Sequence, residues 1–277
     1  MSVRAMCAAA QVSRASYYRF VGGVAADPDL ELRSMIQKIA LSLPTYGYRR
    51  VQAELKRRGH QVNHKPVQRL MREDNLLCLR RRSFVCTTDS RHGFTVYPNL
   101  AKEMVLSDIN QLWVADLTYI RLHAEFVYLA VILDAYSRRV IGWELSDSLA
   151  AELALSALRK ALQQRSFAPG LVHHSDRGVQ YASSDYTALL REHQIQISMS
   201  RRGNPYDNAQ AESFMKTLKY EEVYRSDYYD QRDVRSSVGS FLEKVYNEKR
   251  LHSALNYVPP AEFERDLVKA KVTEAKA

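Results

Sequence analysis

The order of the apolar segments is the feature of this sequence that most restricts its fold. From about residue 105, three strand-like runs follow one another closely, NQLWVADLTYIRL, EFVYLAVILDAY and RRVIGWELS, and residues 137–139 turn the second run into the third. The pattern then alternates between a helix at about 149–165, the strand LVHHSD, a helix at about 184–193, the strand IQISMS and further helices. This order predicts an α/β fold with a mixed five-stranded sheet and flanking helices.

Three acidic residues occupy positions that an ordinary surface carboxylate would not need. Asp116 lies inside the first strand-like run, Asp176 ends the run LVHHSD, and Glu212 lies on a helix that follows the turn residues NPYDN. A carboxylate inside or at the tip of a core strand is costly unless a partner compensates its charge. Hard divalent cations such as Mg²⁺ prefer carboxylate oxygen, and three carboxylates from separate elements can hold two ions about 3.5–4 Å apart. The pattern therefore indicates metal-dependent phosphodiester chemistry.

Each acidic residue also has an ordinary explanation. Asp116 could be an edge-strand residue, Asp176 a turn former, and Glu212 an exposed helix carboxylate. Asp134 ends the second strand-like run and is a competing metal ligand. We interpret Asp134 as a hairpin residue that pairs with Arg138 or Arg139.

The N-terminal hundred residues carry the whole positive net charge, with 17 Lys and Arg against 7 Asp and Glu, whereas the remainder holds 23 against 24. Helices are predicted at about 48–58 and 64–73, joined by the turn GHQVN with Asn63 as a cap. Two short helices with basic outer faces fit a helix-turn-helix that binds DNA; the alternative is a plain helical hairpin with a solvated basic surface. The candidate DNA contacts here are Arg49, Arg50, Lys65 and Arg69, together with Arg80, Arg81 and Arg82 of the polar connector that follows.

Several motifs in the same order resemble the DDE transposases and retroviral integrases, in particular the catalytic reading frame, OrfB, of the IS-three family of bacterial insertion sequences. The matching stretches are WVADLTYI, YLAVILDAYSRRVIGW, HHSDRGVQY, SMSRRGNPYDNAQAESFMKTLK and YNEKRLHSALNYVPPAEF, with 35 residues between Asp176 and Glu212. The earlier stretch YGYRRVQAELKRRGHQVNHKPVQRLMREDNL is similar to the helix-turn-helix segment of that family. The resemblance implies a ribonuclease-H-like integrase core preceded by a small all-α helix-turn-helix domain.

The resemblance also implies a site and a reaction. Asp116, Asp176 and Glu212 would be the catalytic residues and would hold two Mg²⁺ ions per site, with Mn²⁺ as a substitute. The reaction would be DNA cleavage at the ends of an insertion sequence and transfer of the freed strand. Further DNA contacts would come from four residues near the acidic positions: Lys216, Lys219, Asn208 and Arg177. The alternatives are a pair of Lys216 with Glu212 within the helix, and an Asn208 that orients the carboxylate.

The partners that the resemblance implies are duplex DNA (terminal repeats and target), the product of an upstream reading frame or its fusion, and further copies of the chain on DNA. The sequence has no heptad run long enough for a leucine zipper. Two other functions stay open: a DNA-binding regulator with an inactive core, and a ribonuclease-H-type nuclease acting on RNA–DNA hybrids.

Composition and cysteine usage limit the location of the protein. No apolar run approaches the ~20 residues of a membrane span, the N-terminus does not have the pattern of a signal peptide, and three cysteines have no metal-site spacing. We expect a bacterial cytoplasmic protein associated with the nucleoid and no membrane partner. The expected domains are an N-terminal helical segment (1–26), the helix-turn-helix domain (27–79), a basic linker (80–104), the catalytic core (105–265) and a flexible tail (266–277).

Two smaller expectations concern histidines. His173 and His174 precede Asp176 on the predicted strand, and we interpret them as core or supporting residues rather than metal ligands. His252 lies in KRLHSALNYVPP and has no chemical role that the sequence alone assigns.

Overall fold

The computed structural model describes residues 2–21, 28–76, 95–123, 125–201 and 205–274. It divides into two compact units, residues 1–79 and 80–277. Within the described residues, no helix has the length and apolar character that crossing a membrane would require. The predicted DNA contacts Arg80, Arg81 and Arg82 lie outside the described residues.

The first unit consists of helices. They are α1 (Val3–Ala9), α2 (Arg14–Val21), α3 (Leu30–Ser42), α4 (Tyr48–Arg57) and α5 (His64–Glu73). The two helices of the predicted helix-turn-helix are confirmed as α4 and α5. Their small core is formed by Val51, Leu55, Val67, Leu70 and Met71. The Asn63 side chain accepts a hydrogen bond from the backbone N–H of Lys65, which satisfies one of the free amides at the start of α5.

The second unit is built on the mixed five-stranded sheet that the sequence predicts. Its strands are β1 (Leu112–Arg121), β2 (Phe126–Asp134), β3 (Val140–Ser146), β4 (Val172–Ser175) and β5 (Gln196–Met199). Their spatial order is β3-β2-β1-β4-β5. The pairs β1–β2 and β2–β3 are antiparallel, and the pairs β1–β4 and β4–β5 are parallel. The chain leaves the hairpin after β3 and returns to the other side of β1, so β1 is the central strand.

Helices cover both faces of the sheet. The helices of this unit are α6 (Ala151–Gln164), α7 (Val179–Ala182), α8 (Ser184–Glu192), α9 (Ala209–Glu221), α10 (Gln231–Ser240) and α11 (Pro260–Glu274). One core lies between the sheet and α9 and α10, and includes Val114, Leu129, Phe214 and Leu218. The other lies between the sheet and α6, α7 and α8. A Cβ on Gly142 of β3 would lie 2.3 Å from the Ala157 carbonyl oxygen, so the absence of a side chain there allows α6 to approach the sheet closely.

In the turn between β2 and β3, the partners of Asp134 differ from the predicted arginines. Its carboxylate accepts hydrogen bonds from the backbone N–H groups of Asn110 (2.6 Å), Tyr136 (2.9 Å) and Ser137 (2.9 Å). Arg139 instead reaches Glu264 on α11, at 2.7 Å. Asp134 is buried among backbone donors, which satisfy a carboxylate without an arginine partner, and it closes the hairpin.

Two segments differ from their predicted structure. Residues 95–104, assigned to a linker, pack on the sheet unit: the backbone N–H of Leu100 donates to Ser198 Oγ (2.8 Å), and Ala101 and Met104 contact the core. The predicted tail after residue 266 is helical as far as Glu274, because α11 is anchored near its start by the buried Glu264.

Candidate active site

The strand register brings Asp116 and Asp176 to neighbouring positions. In the parallel pair of β1 and β4, Val114 lies opposite His174, which is the last pair of that register. Asp116 and Asp176 each follow two residues later, so side-chain alternation places both on the same side of the sheet. The two carboxylates therefore meet where the strands β1 and β4 separate.

Glu212 is brought to the same place by α9. The helix packs across the central strand through Ala211, Phe214, Met215 and Leu218, all of them buried in the core that also contains Val114. Glu212 lies in the first turn of α9 and is half-buried. The buried Asn208, which precedes α9, donates from Nδ2 to the backbone carbonyl of Ala115 at 3.3 Å. This bond fixes the start of the helix beside the strand residue next to Asp116.

The Asp116 carboxylate is affected by the charges of the other two acidic residues. Burial raises the pKa of Asp116 to about 8, and the charges of Asp176 and Glu212 add to the increase. The backbone N–H of Leu117, 2.9 Å from Oδ1, and the charge of Lys219 act in the opposite direction. The charged form of Asp116 is therefore disfavoured until a cation compensates the cluster.

The carboxylates are near one another but are not converged on a single point. Within the described residues, no three His, Cys, Asp or Glu side chains are gathered closely enough to hold a metal ion as they stand. Mutual repulsion separates like charges, and local amides hold two of the groups: Leu117 N–H binds Asp116, and Gly178 N–H binds Asp176 Oδ1 at 2.9 Å. The charges of Asp176 and Glu212 act on Asp116, and the donor set, three carboxylates from separate elements, fits a hard divalent cation.

Gly178 is required by the loop that holds Asp176. A Cβ at this position would lie 3.0 Å from Asp176 Oδ1 and 3.1 Å from Gln180 Oε1. The side chain of Gln180 is itself fixed by a bond from Nε2 to the Leu149 carbonyl oxygen, at 2.9 Å. Glycine therefore lets the backbone amide approach the carboxylate closely. Sequence reasoning placed Gly178 in the loop but did not assign it this contact.

The two lysines after Glu212 differ in their surroundings. The Nζ atom of Lys219 lies 4.8 Å from the centroid of the Tyr119 ring, and its pKa is lowered by burial although the charge of Asp116 opposes that effect. Lys216 is exposed. Lys219 is thus next to the acidic cluster, whereas Lys216 lies on the outer surface of α9. Tyr119 was not singled out from the sequence.

The histidines before Asp176 are supporting residues. His174 is buried and bonds Ser198 Oγ (2.8 Å) and Ser200 Oγ (3.0 Å). His173 bonds the Tyr186 hydroxyl through Nε2 at 2.9 Å. Burial lowers the pKa of both, in the case of His173 to about 3, so both are neutral near pH 7. Arg177, in the following loop, donates from Nε to the Ser200 carbonyl oxygen at 2.7 Å.

The motif around His252 anchors the far end of α9. Arg250 is buried, and its guanidinium forms a bidentate salt bridge with Glu221, the last residue of that helix, at 2.7 and 2.8 Å. His252 lies 3.3 Å from the Arg250 guanidinium and packs edge-on against Tyr246, with ring centroids 4.9 Å apart. The motif therefore holds the helix that carries Glu212 and Lys219.

The basic residues of the first unit differ in their exposure and in their contacts within the unit. Arg49 and Lys65 are exposed, and the Arg49 guanidinium lies over the Tyr48 ring. The Arg50 guanidinium lies 5.5 Å from the centroid of the Tyr46 ring. Arg69 pairs with Asp29 (2.6 Å) and Glu73 (3.1 Å) within the unit. A DNA phosphate would compete with these two carboxylates for Arg69.

Family models identify an integrase core in the second unit: residues 107–205 and 193–260 match models of the integrase core domain, and residues 27–84 match an HTH-like domain. An uncharacterized 31 kDa protein of insertion element IS600 from Shigella sonnei is 37% identical over 264 residues, covering 93% of this chain and 97% of that protein. Transposase InsF for insertion sequence IS3A from Escherichia coli is 34% identical over 270 residues, covering 95% and 94% respectively. The chain belongs to the IS3 family of insertion-sequence transposases.

Solved structures with a similar fold include retroviral integrases. The catalytic core of BIV integrase is 18% identical with a TM-score of 0.44, covering 59% of this chain and 99% of that one. The HTLV-2 integrase core in complex with magnesium is 13% identical with a TM-score of 0.42, covering 56% and 96% respectively.

Proposed function

We propose that this protein is a DDE transposase that cleaves DNA at the ends of an insertion sequence and transfers the freed strand to another phosphodiester. The observation that carries the proposal is the electrostatic coupling of Asp116 with Asp176 and Glu212, at the point where β1 and β4 separate and α9 begins. Membership of the transposase family supports the same reaction class. The enzyme is a polynucleotidyl transferase in this proposal.

Asp116, Asp176 and Glu212 are the residues that would hold the metal, two Mg²⁺ ions per site with Mn²⁺ as a substitute. When bound, the ions supply Lewis-acid activation of the attacking oxygen and stabilisation of the leaving oxygen. The donor chemistry supports this assignment, since carboxylate oxygen is the preferred ligand of both cations.

The remaining steps follow from the positions of the protein's own groups. A water or a DNA 3′-hydroxyl would attack phosphorus in line with the leaving 3′-oxygen, so a new O–P bond forms as the old one breaks. The attacking oxygen gives its proton to solvent, and the leaving 3′-oxygen takes up a proton to become a hydroxyl. No protein nucleophile takes part and no covalent protein–DNA intermediate forms. Lys219, beside Asp116 and half-buried, would bind a phosphate next to the scissile bond. Asn208 and Leu117 would maintain the orientation of β1 and Asp116.

DNA is the partner on both units in this proposal. On the core, Lys216 and Arg177 would contact phosphates with Lys219; Asn208, predicted as a contact, supports the site from within instead. On the first unit the contacts would be Arg49, Arg50, Lys65 and Arg69, followed by Arg80, Arg81 and Arg82. The remaining partners are an upstream reading-frame product or its fusion and further copies of the chain on DNA. The location would be the bacterial cytoplasm, at the nucleoid.

The exposed basic residues of α4 and α5 give a first test. Replacing Arg49 and Lys65 together by alanine should weaken DNA binding by the full-length protein. Each lost phosphate contact should reduce the slope of log affinity against log salt by about 0.9. The matched control is Lys38→Ala, an exposed lysine of the same unit on α3. Equal affinities and slopes for the double variant and the wild type would remove these two residues from the DNA interface.

The reaction itself is tested on duplex DNA that carries the element ends. Purified protein is incubated with Mg²⁺, Mn²⁺ or a chelator, and nicked and joined strands are separated by electrophoresis, beside Glu212→Gln as a control. We expect both products with either metal and neither product with chelator or in the variant. Preferential cleavage of an RNA–DNA hybrid would favour the ribonuclease-H alternative. Binding without cleavage, even when the upstream reading frame is fused, would favour the regulator.

A further inference from the structure

The hydroxyl of Tyr181 is one of five buried side-chain nitrogen and oxygen atoms that have no hydrogen-bond partner among the described residues. The Tyr181 side chain is 2% exposed, and its oxygen is buried without a hydrogen-bond partner among the described residues. Its neighbour Tyr186, 1% exposed, bonds His173 Nε2 at 2.9 Å. A buried hydroxyl that has lost its water contacts and gained no acceptor destabilises the fold, so its retention calls for an explanation.

The position of Tyr181 beside Asp176 offers an explanation for its buried hydroxyl. Its backbone N–H donates to the Gly178 carbonyl oxygen at 3.0 Å, and the Gly178 N–H donates to Asp176 Oδ1 at 2.9 Å. A Cβ on Gly178 would lie 3.0 Å from Asp176 Oδ1 and 3.7 Å from Tyr181 Cδ2. The Tyr181 ring and the Asp176 carboxylate therefore flank the same glycine. The ring is fixed in this place by edge-on packing against Tyr186, with centroids 5.4 Å apart.

The hydroxyl of Tyr181 is affected by the charges of Asp116 and Asp176. Burial raises the pKa of Tyr181 well above its ordinary value, and the charges of Tyr186, Asp116 and Asp176 add to the increase. The phenol therefore keeps its proton, and its O–H is available to a carboxylate oxygen. Asp116 and Asp176 are acceptors that must move to converge on a cation.

We propose that Tyr181 is a positioning residue of the active site, whose hydroxyl donates a hydrogen bond to the paired carboxylates Asp116 and Asp176 when they converge on a divalent cation. This inference rests on the proposed function. The hydroxyl is held ready in the metal-free protein, where it is unsatisfied, and gains its partner in the loaded site. A tyrosine that only fills space would not need the oxygen.

The test compares Tyr181→Phe with Tyr186→Phe in the full-length protein. Both variants remove one hydroxyl and keep the ring. In metal-free buffer, Tyr181→Phe should have the melting temperature of the wild type or a higher one, because the lost hydroxyl had no partner. Tyr186→Phe should melt about 2–8 °C lower, because His173 Nε2 loses its partner.

Metal affinity should change in the opposite way to stability: it should fall in Tyr181→Phe and stay near the wild-type value in Tyr186→Phe. Mn²⁺ binding is followed without DNA by the loss of the paramagnetic resonance signal of free Mn²⁺. Tyr181→Phe should bind about 10–100-fold more weakly than the wild type, the usual effect of removing a hydrogen bond to a metal ligand. Tyr186→Phe should bind within about twofold of the wild type, since its hydroxyl does not face the carboxylates.

The outcomes separate this inference from the proposed function. Wild-type protein that binds Mn²⁺, together with Tyr181→Phe that binds it equally well, overturns the inference and leaves the proposed function standing. A melting temperature that falls in Tyr181→Phe as it does in Tyr186→Phe also overturns it. Wild-type protein that binds no Mn²⁺ and cleaves no DNA overturns the proposed function as well.

Discussion

Asp116→Asn is expected to abolish strand transfer and at the same time to stabilise the metal-free protein. Activity should fall by at least about a thousandfold, because the amide offers one neutral oxygen where the site needs a carboxylate. The free energy of unfolding in chelator should rise by about 1–2 kcal/mol, because folding the wild type forces Asp116 out of its charged form beside Asp176 and Glu212, whereas the amide has no charge to lose. The opposite signs of the two effects characterise a residue retained for chemistry at a cost in stability.

Denaturant unfolding with chelator and with Mg²⁺ measures the stability effect, and the strand-transfer assay measures the activity. The wild type should gain stability with Mg²⁺, by mass action on the folded state, and the variant should gain little. Asp134→Asn is the matched control, since Asp134 is also a buried carboxylate at the end of a strand. Its oxygens accept three backbone N–H bonds, so this variant should lose stability.

Two results would contradict this account of Asp116. Strand transfer that survives in Asp116→Asn would remove the residue from the catalytic site. A variant less stable than the wild type in chelator would show that the Asp116 carboxylate is well compensated without metal.

The sheet could be predicted because its strands carry strong local signals. β1, β2 and β3 have long apolar runs, and their nearness in sequence fixes the antiparallel pairing. Asp116 and Asp176 stood out because a charge interrupts, or directly follows, an apolar run that would otherwise be buried. Glu212 gives no such signal, since a glutamate on a half-buried helix is common. Its assignment came from the spacing and neighbouring motifs that resemble a known family.

The supporting contacts could not be predicted, because they join residues that are distant in sequence. Asn247 binds both the N–H and the carbonyl of Val140, each at 2.9 Å, and no local pattern marks an asparagine for that task. Ser198 bonds both His174 and the backbone of Leu100. The predicted pairing of Asp134 with an arginine was wrong because backbone N–H groups bind its oxygens instead. One comes from Asn110 in another segment, and two come from Tyr136 and Ser137 in the turn that follows Asp134.

The C-terminal helix was missed because polar contacts with distant residues hold it, through Glu264, Arg265 and Lys271. Of its first residues, Pro260, Ala261 and Glu264 are buried, while Val268 and Val272 are exposed. A polar helix with so small an apolar face has no clear amphipathic period. Its position depends on Glu264, a buried carboxylate that periodicity analysis counts as a surface residue.

Glu264→Gln is expected to be among the most destabilising single substitutions in the sheet unit. The Glu264 carboxylate accepts from Ser137 Oγ (2.6 Å), Arg139 (2.7 Å) and Arg165 (2.6 Å), and the Arg165 side chain is only 10% exposed. The neutral amide leaves the buried Arg165 guanidinium uncompensated, which should cost about 3–5 kcal/mol. Denaturant unfolding of the full chain measures the loss. Glu248→Gln breaks the exposed pair with Arg265 on the same helix and should cost less than about 1 kcal/mol.

The pH dependence of the free energy of unfolding gives a second, independent test of this prediction. Burial alone would raise the pKa of Glu264, but Arg165, Ser137 and Arg139 together hold it below its ordinary value. A carboxylate with a lowered pKa in the folded state contributes stability above the pKa of the unfolded chain, and that contribution disappears as pH falls through the folded value. The difference between the wild type and Glu264→Gln should therefore be constant near neutral pH and shrink below about pH 4. A difference that is small near neutral pH, or that persists in acid, would show that α11 is held by packing and not by the charge of Glu264.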